Sequence, residues 1–315
     1  MGSRATVFML HRLHAPERGV EGHDIEFVRE ALASLRRSGA RFVSLRYLVE
    51  CWQVGRSPGP DCVAFTIDDG FADQAQLVRE AFLPLECPVT VFLISGFLDR
   101  LLWPWDDQLA FAFREAPNGH VTLTLHGESL AYEIGDVSSR QRALTEVRER
   151  CKRGPNSGIY QLVQSVADSL GTSVPSEAPP AHRAMSWDDA RDLERQGVEF
   201  GPHSVTHRIF AGLTKEEACE EISNSLARLT QELANPVSVF AWPTGRRNDY
   251  SSRDISIARQ AGLDASVATD PDYARVPAKD DGSLYSIPRF GMPFDIPTVL
   301  RYGSWIERAR QLLPV

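Results

Sequence analysis

The chain has 315 residues, 43% hydrophobic and 24% charged, which excludes a disordered chain and leaves room for one large domain or two small ones. Aspartate plus glutamate outnumber lysine plus arginine 42 to 34, and the formal charge of −8 argues against broad phosphate-backbone binding, so no nucleic-acid partner is expected. The five cysteines show no C-x-x-C pair, no apolar run is long enough for a transmembrane segment, and the first ten residues lack the apolar stretch of a secretory signal, so the expected setting is cytoplasmic.

Taken in order, short apolar runs alternate with amphipathic stretches. Thr6 to Leu10 reads as a strand. Asp24 opens a helix whose Phe27, Val28, Ala31, Leu32 and Leu35 form one stripe at three-and-four spacing, and Gly39 ends it. Cys62 to Ile67 is an unbroken apolar run and reads as a fully buried strand. A helix follows from about Phe71 to Leu83, then a second buried strand from Val89 to Ile94. From about 97 to 185 the rhythm breaks. This stretch holds a helix at Asp106 to Arg114, an alternating hairpin pairing Val121–Leu125 with Leu130–Ile134, and helices at Arg140–Cys151 and Tyr160–Leu170. A Pro- and Ala-rich loop, Pro175 to Ala184, leads back. It reads as an insertion in a single domain spanning 1–315.

The rhythm then resumes. Ser186 with Asp189 and Thr214 with Glu217 resemble capping boxes of two helices. Strands are expected at Val198–Phe200, Val237–Ala241, Ala265–Ala268 and Leu284–Ile287, with a helix around Ile255–Ala261 and a last one at Val299–Leu313. Alternating strands and helices imply an α/β fold with a parallel sheet and right-handed crossovers. Seven or so such units favour a closed or nearly closed barrel.

Three turns that leave strands carry the chemistry. Asp68-Asp69-Gly70 follows a buried strand; paired carboxylates at a strand end can divide metal binding from proton abstraction, although the same triplet also serves as a plain turn. His203-Ser-Val-Thr-His207 puts two imidazoles at a metal-ligand spacing if the segment turns helically, and is otherwise a pair of ordinary histidines near a helix start. Joined by a carboxylate from another strand end, they give the two-histidine, one-aspartate set of a hydrolytic metal site. Phe240-Ala-Trp-Pro-Thr-Gly245 holds a sharp turn able to aim a backbone N–H at a developing oxyanion. Trp103 and Trp105, before Asp106-Asp107, are expected to pack the insertion rather than to touch a sugar.

Thr66-Ile-Asp-Asp-Gly70, His203-Ser-Val-Thr-His207 and Ala241-Trp-Pro-Thr-Gly245, in that order, resemble the polysaccharide deacetylase family, carbohydrate esterase family 4, with its nodulation-protein-B homology domain. Met9-Leu-His-Arg12 and Ile287-Pro-Arg-Phe-Gly291 resemble segments of many bacterial members. The resemblance covers most of the chain outside about 97–185. It implies a distorted (β/α)7 barrel, one divalent metal ion, and hydrolytic removal of an N- or O-acetyl group from a sugar. By position, Asp68 resembles the catalytic base and Asp69, His203 and His207 the metal triad. The Pro243–Thr244 turn, with Trp242 before it, resembles the groove wall that helps hold the oxyanion. Zinc is the default ion because imidazole and carboxylate suit it, with cobalt, nickel or manganese as substitutes. The expected partner is an acetylated sugar, most simply an acetamido sugar of a cell-surface glycan or its precursor. A deformylase, an O-acetyl esterase or a glycan-binding relic of low turnover would leave similar traces, and the oligomeric state is left open.

Two features depart from the family pattern. Many members carry an arginine shortly before the proline of the third motif, whereas Val239, Phe240 and Ala241 stand there in this chain. Arg289, arriving from the last strand, is the candidate replacement, because a cation beside Asp68 would keep it ionised. Many members also supply a general acid from a C-terminal Leu-x-His segment, and no histidine follows His207 here. His11, just after the first strand and so at the same rim as Asp68, is the candidate acid, histidine being the residue type that titrates near neutrality.

Overall fold

The computed structural model describes residues 4–16, 19–275 and 282–303. Its strands are β1 (Arg4–Leu10), β2 (Arg41–Phe42), β3 (Cys62–Ile67), β4 (Thr90–Leu93), β5 (Gly119–Leu125), β6 (Glu128–Ile134), β7 (Glu199–Pro202), β8 (Val239–Ala241), β9 (Ala265–Val267), β10 (Ala274–Arg275) and β11 (Phe290–Gly291). Its helices are α1 (Ile25–Arg37), α2 (Leu45–Gln53), α3 (Ala72–Leu77), α4 (Ser95–Leu98), α5 (Trp105–Glu115), α6 (Val137–Arg153), α7 (Ile159–Ser169), α8 (Trp187–Arg195), α9 (Lys215–Glu232), α10 (Ser252–Gln260) and α11 (Ile296–Gly303).

β3 is buried along its whole length, as its unbroken apolar run requires. It lies parallel between β1 and β4, with Phe8 opposite Phe65 and Thr66 opposite Thr90. β4 pairs onward with β7, and β11 pairs with β1, both parallel. β8 and β9 form a parallel pair of their own. Single links reach this pair: the Val237 N–H donates to the Phe200 carbonyl at 2.7 Å, and Ile287, on the way to β11, bridges Val267. The mixed α/β fold therefore has a main sheet and a separate parallel β8–β9 pair, joined to each other by these single links.

The two-residue period of the strands sorts side chains by size. Ala5, Val7, Cys62, Ala64, Val239, Ala241 and Val267 share one cluster with Phe92. Their neighbours Phe8, Leu10, Val63, Phe65 and Ile67 face the other way, into a larger layer with Leu32, Leu35 and Phe82 of the helices. Parallel strands put their C-terminal ends on one rim, and Asp68, His203 and Trp242 each follow directly from such an end. α5, the β5–β6 hairpin, α6 and α7 pack round a separate cluster containing Trp105, Phe113, Leu123, Val147 and Val163, which Ile209 of the main body enters.

Several elements differ from expectation. β2 is too short to show alternation, and α2 follows it at once, capped by the Ser44 hydroxyl accepting from the Tyr47 N–H. α3 passes through a π-helical turn, Val78–Phe82, into a 3-10 turn, Leu83–Leu85, where Pro84 has no N–H to continue an α-helix. The strand expected at Leu284–Ile287 is a 3-10 turn, Ser283–Tyr285, and only Ile287 pairs with a strand. Asp24 precedes α1 without a side-chain cap bond, whereas Thr214 and Glu217 make a full capping box. The helix expected at Val299–Leu313 appears as Ile296–Gly303, and its remainder lies outside the described residues. All five cysteines are free, and no described helix is long and apolar enough to cross a membrane.

Candidate active site

Asp68 continues the register of β3, its N–H donating to the Leu10 carbonyl at 3.1 Å. Its parity with Ala64 and Thr66 directs the carboxylate to the face of β3 that those two residues share. Arg289, fully buried, meets it there. The two guanidinium nitrogens Nη1 and Nη2 donate to Asp68 Oδ1 and Oδ2 at 2.7 Å each. Nη1 also donates to Thr66 Oγ1 and Nε to the Ala268 carbonyl, both at 2.9 Å. Burial alone would raise the Asp68 carboxyl. The charge and hydrogen bonds of Arg289 outweigh it, with smaller help from His203 and His11, and hold it well below the usual carboxylate range. Each carboxylate oxygen keeps a lone pair beyond the one Arg289 engages. His11 stands at the mouth with its side chain 46% exposed and Nε2 4.0 Å from Asp68 Oδ2.

A strand period would send Asp69 to the opposite face. Its φ of 91° breaks that period and brings a second carboxylate into the same cleft. Asp69 Oδ1 lies 3.4 Å from His203 Nε2 and 3.6 Å from His207 Nε2. One ligand atom from each of the three residues lies within 4.8 Å of the others, and all three residues are buried. Among the described residues Asp69 Oδ1 has no hydrogen-bond partner. His203 Nδ1 donates to the Ala241 carbonyl at 2.7 Å, so its Nε2 carries the lone pair that faces Asp69. Burial would lower the His207 imidazole, yet the carboxylates of Asp106 and Asp69 push it up to about 9. An orphaned buried carboxylate oxygen and two imidazoles in a negative field fit a divalent cation.

The His203–His207 loop is held from two sides. Ser204 and His207 take φ of 65° and 54°, and Ser204 Oγ accepts the His207 N–H at 2.9 Å. Buried Glu221 of α9 accepts the Val205 and Thr206 N–H groups at 2.8 and 2.9 Å and the Arg208 guanidinium at 2.9 Å. The insertion supplies the rest. Trp105 Nε1 donates to the His207 carbonyl at 3.0 Å, and Tyr160 donates to the Thr206 carbonyl at 2.9 Å. Asp106 Oδ1 faces His207 Nδ1 at 3.7 Å, an ion-pair distance longer than a hydrogen bond. The sequence reading missed Asp106, Tyr160 and Glu221 as parts of this site. The one local signal was the acidic pair Asp106-Asp107 at the start of a helix.

The third turn lies after β8. Thr244 has a φ of 54°, and its N–H has no acceptor among the described residues. Thr269 Oγ1 donates to the Thr244 carbonyl at 2.6 Å and fixes the turn. Trp242 departs from expectation: its indole is fully buried, stacked on Tyr250 at 4.7 Å, and donates to the Tyr285 carbonyl at 3.0 Å. The indole thus braces the Pro243–Thr244 turn from behind instead of lining a groove. Trp103 and Trp105 are buried as well and pack the insertion as expected.

A family model described as polysaccharide deacetylase matches residues 55–266, more than half of the chain. No curated protein sequence matches it. Among solved structures, the chain is similar to the deacetylase PplD of Streptococcus pyogenes in complex with acetate, at 14% identity and a TM-score of 0.62, covering 96% of this chain and 100% of that one. It is similar to a de-N-acetylase from Aggregatibacter actinomycetemcomitans, at 12% identity and a TM-score of 0.59, covering 95% of this chain and 100% of the other. IcaB from Ammonifex degensii is similar at 15% identity and a TM-score of 0.59, covering 96% of this chain and 98% of that chain. At these identities the three structures speak to the fold.

Proposed function

The chain belongs to the polysaccharide deacetylase family, and from that premise we propose that it is a metal-dependent hydrolase that removes the N-acetyl group from an acetamido sugar of a cell-surface glycan or its precursor. The observation that carries this reading is the buried Asp69–His203–His207 cluster lying beside a carboxylate clamped by Arg289. Asp69, His203 and His207 would hold one divalent ion, with zinc the default for two imidazoles and a carboxylate. Such an ion supplies Lewis-acid polarisation of the acetyl carbonyl and acidifies the attacking water.

The other steps fall to side chains and backbone of this chain. Asp68, kept ionised and oriented by Arg289, takes a proton as the water oxygen bonds to the acetyl carbon. The unpaired Thr244 N–H, in its fixed turn, receives the oxyanion. As the C–N bond breaks, His11 gives its proton to the departing amine, which is too basic to leave as an anion. The products are acetate and the free amino sugar.

Acetate release from acetamido sugars, with and without a chelator, tests the reading. The metal-loaded protein is expected to release acetate, and the chelator to abolish the release. A metal-loaded protein that releases none from any acetamido sugar would overturn it. In the same assay His11→Ala is expected to lose more turnover on an amide than on an ester with a good leaving group. Equal losses would give His11 a structural role.

Asp106 belongs to this proposal through His207. A carboxylate behind a metal-ligating imidazole fixes its ring and raises its basicity, and losing one commonly costs 10- to 100-fold in metal affinity. Asp106→Ala is therefore expected to weaken divalent-metal binding by about that factor, read by competition with a chromophoric chelator. Unchanged affinity would show that Trp105 and Ser204 orient the loop without Asp106.

A further inference from the structure

Gln74, in the first turn of α3, is fully buried close to the reacting centre. A glutamine buried there must find partners for one amide oxygen and two amide hydrogens. Its Oε1 accepts the Gly70 N–H at 3.0 Å. Its Nε2 donates to two carbonyls, those of His11 and Asp68, at 2.5 Å each. One side chain thus joins the main chain of the candidate acid, that of the candidate base, and the glycine that follows Asp69.

Two of these three segments have other anchors. Asp68 is held by its ladder bond to Leu10 and by both prongs of Arg289. The Asp69-Gly70 turn is pinned by the Ile94 N–H on the Asp69 carbonyl at 3.2 Å and the Met185 N–H on the Gly70 carbonyl at 2.8 Å. His11 differs. β1 ends at Leu10, and the half-exposed His11 imidazole makes no hydrogen bond among the described residues, its nearest charged group being Asp68. The carbonyls of Met9, Leu10 and Arg12 accept backbone N–H groups, from Met292, Asp68 and His23 in turn. In that run of four, the His11 carbonyl is the one met by a side chain. Asp73, the residue before Gln74, grips the loop just beyond: its Oδ2 accepts the Arg12 Nε–H at 3.0 Å and the Leu13 N–H at 3.2 Å.

We infer that Gln74 is a positioning residue for the general acid, its amide bridge setting the separation between His11 and Asp68. The bridge needs two hydrogens on one atom, which among uncharged side chains only asparagine and glutamine supply. Asp68 takes a proton from the attacking water and His11 gives one to the departing nitrogen, so both must face the same tetrahedral carbon. A misplacement of about 1 Å in such a pair can cost 10²-fold in rate. With no hydrogen bond on the His11 ring, the main chain carries its placement. The inference rests on the hydrolase reading above, in which His11 is the acid, and deepens it by naming what places that acid.

The test is a double-mutant cycle on acetate release from an acetamido sugar, with Gln74→Met and His11→Ala alone and together. Methionine keeps the length of glutamine and offers neither carbonyl a hydrogen. Gln74→Met is expected to lower kcat about 10- to 100-fold with KM and metal content unchanged, because Gln74 bonds only to main chain. In the His11→Ala background the same substitution should cost nothing more, the group it places being gone. If Gln74→Met fails to fold, Gln74→Glu runs the same cycle. A carboxyl keeps the shape and an acceptor for Gly70, and whatever its charge it has at most one hydrogen to give, so it cannot bridge both carbonyls. No loss from the Gln74 substitution, or losses that multiply in the double variant, would overturn the inference. If the unmodified protein releases no acetate, or His11→Ala costs nothing, the reading above fails separately, and a crystal structure of the Gln74 variant decides whether Gln74 places His11. An imidazole withdrawn by about 1 Å or more from its 4.0 Å separation from Asp68 would uphold the bridge, and an unmoved one would overturn it.

Discussion

Asparagine in place of Asp68 is expected to leave the metal bound and to lower turnover on an acetamido sugar by at least about 10²-fold, the lower range for loss of a general base. The two effects separate because the site separates them. Asp68 is held by Arg289 and lies outside the Asp69–His203–His207 cluster, so the cluster keeps its three ligand atoms. The amide keeps the shape of the carboxylate and one oxygen for Arg289, but its nitrogen cannot take a proton. Because Arg289 holds the native carboxyl so far down, Asp68 stays ionised across ordinary assay conditions. Its protonation should therefore add no acid limb to the pH–rate profile above about pH 4, where an unperturbed carboxyl would. Metal content by elemental analysis and kcat by acetate release check both halves. Near-normal turnover with full metal content would move the base elsewhere.

The parts of the site that the sequence reveals are those where a strand and its chemistry are adjacent in the chain. Cys62–Ile67 reads as buried and Asp68 and Asp69 follow it directly; Glu199–Pro202 precedes His203 in the same way. Capping at Thr214 is equally local, a side chain meeting a backbone group three residues on. Arg289 is visible from sequence only as a cation at the right strand end. Its two-pronged contact with Asp68 depends on β11 lying next to β1, which pattern alone does not determine. Asp106 is less legible still. It stands in the insertion, a hundred residues before His207, and no periodicity links a helix start to a distant metal loop. Leu284–Ile287 misleads because its apolar spacing satisfies a strand, while Gly282, at φ 76°, starts a 3-10 turn instead.

Methionine in place of Arg289 is expected to give the largest loss of stability, about 3–5 kcal/mol, the cost of leaving one partner of a buried ion pair alone. Arg289 is fully buried and Asp68 nearly so, so bulk solvent screens the pair little and cannot fully replace the guanidinium. Methionine fills much of the volume, so the loss reports the charge more than a cavity. The pH dependence carries the argument further, measured by urea unfolding of metal-stripped protein. In the unmodified protein the folded carboxyl is depressed below its unfolded value of 3.8, so the unfolded chain binds more protons in acid. The stability due to the pair is then present above pH 4 or so and is lost only in strong acid. Without Arg289, the burial that opposes ionisation is the largest remaining influence and raises the carboxyl. The folded variant then binds the extra proton, and its stability rises as pH falls from neutrality toward 4 or so. The two proteins should therefore differ most at neutral pH and converge in mild acid. A gap of the same size at both ends would mean that Arg289 acts through packing, and that Asp68 does not depend on it to stay ionised.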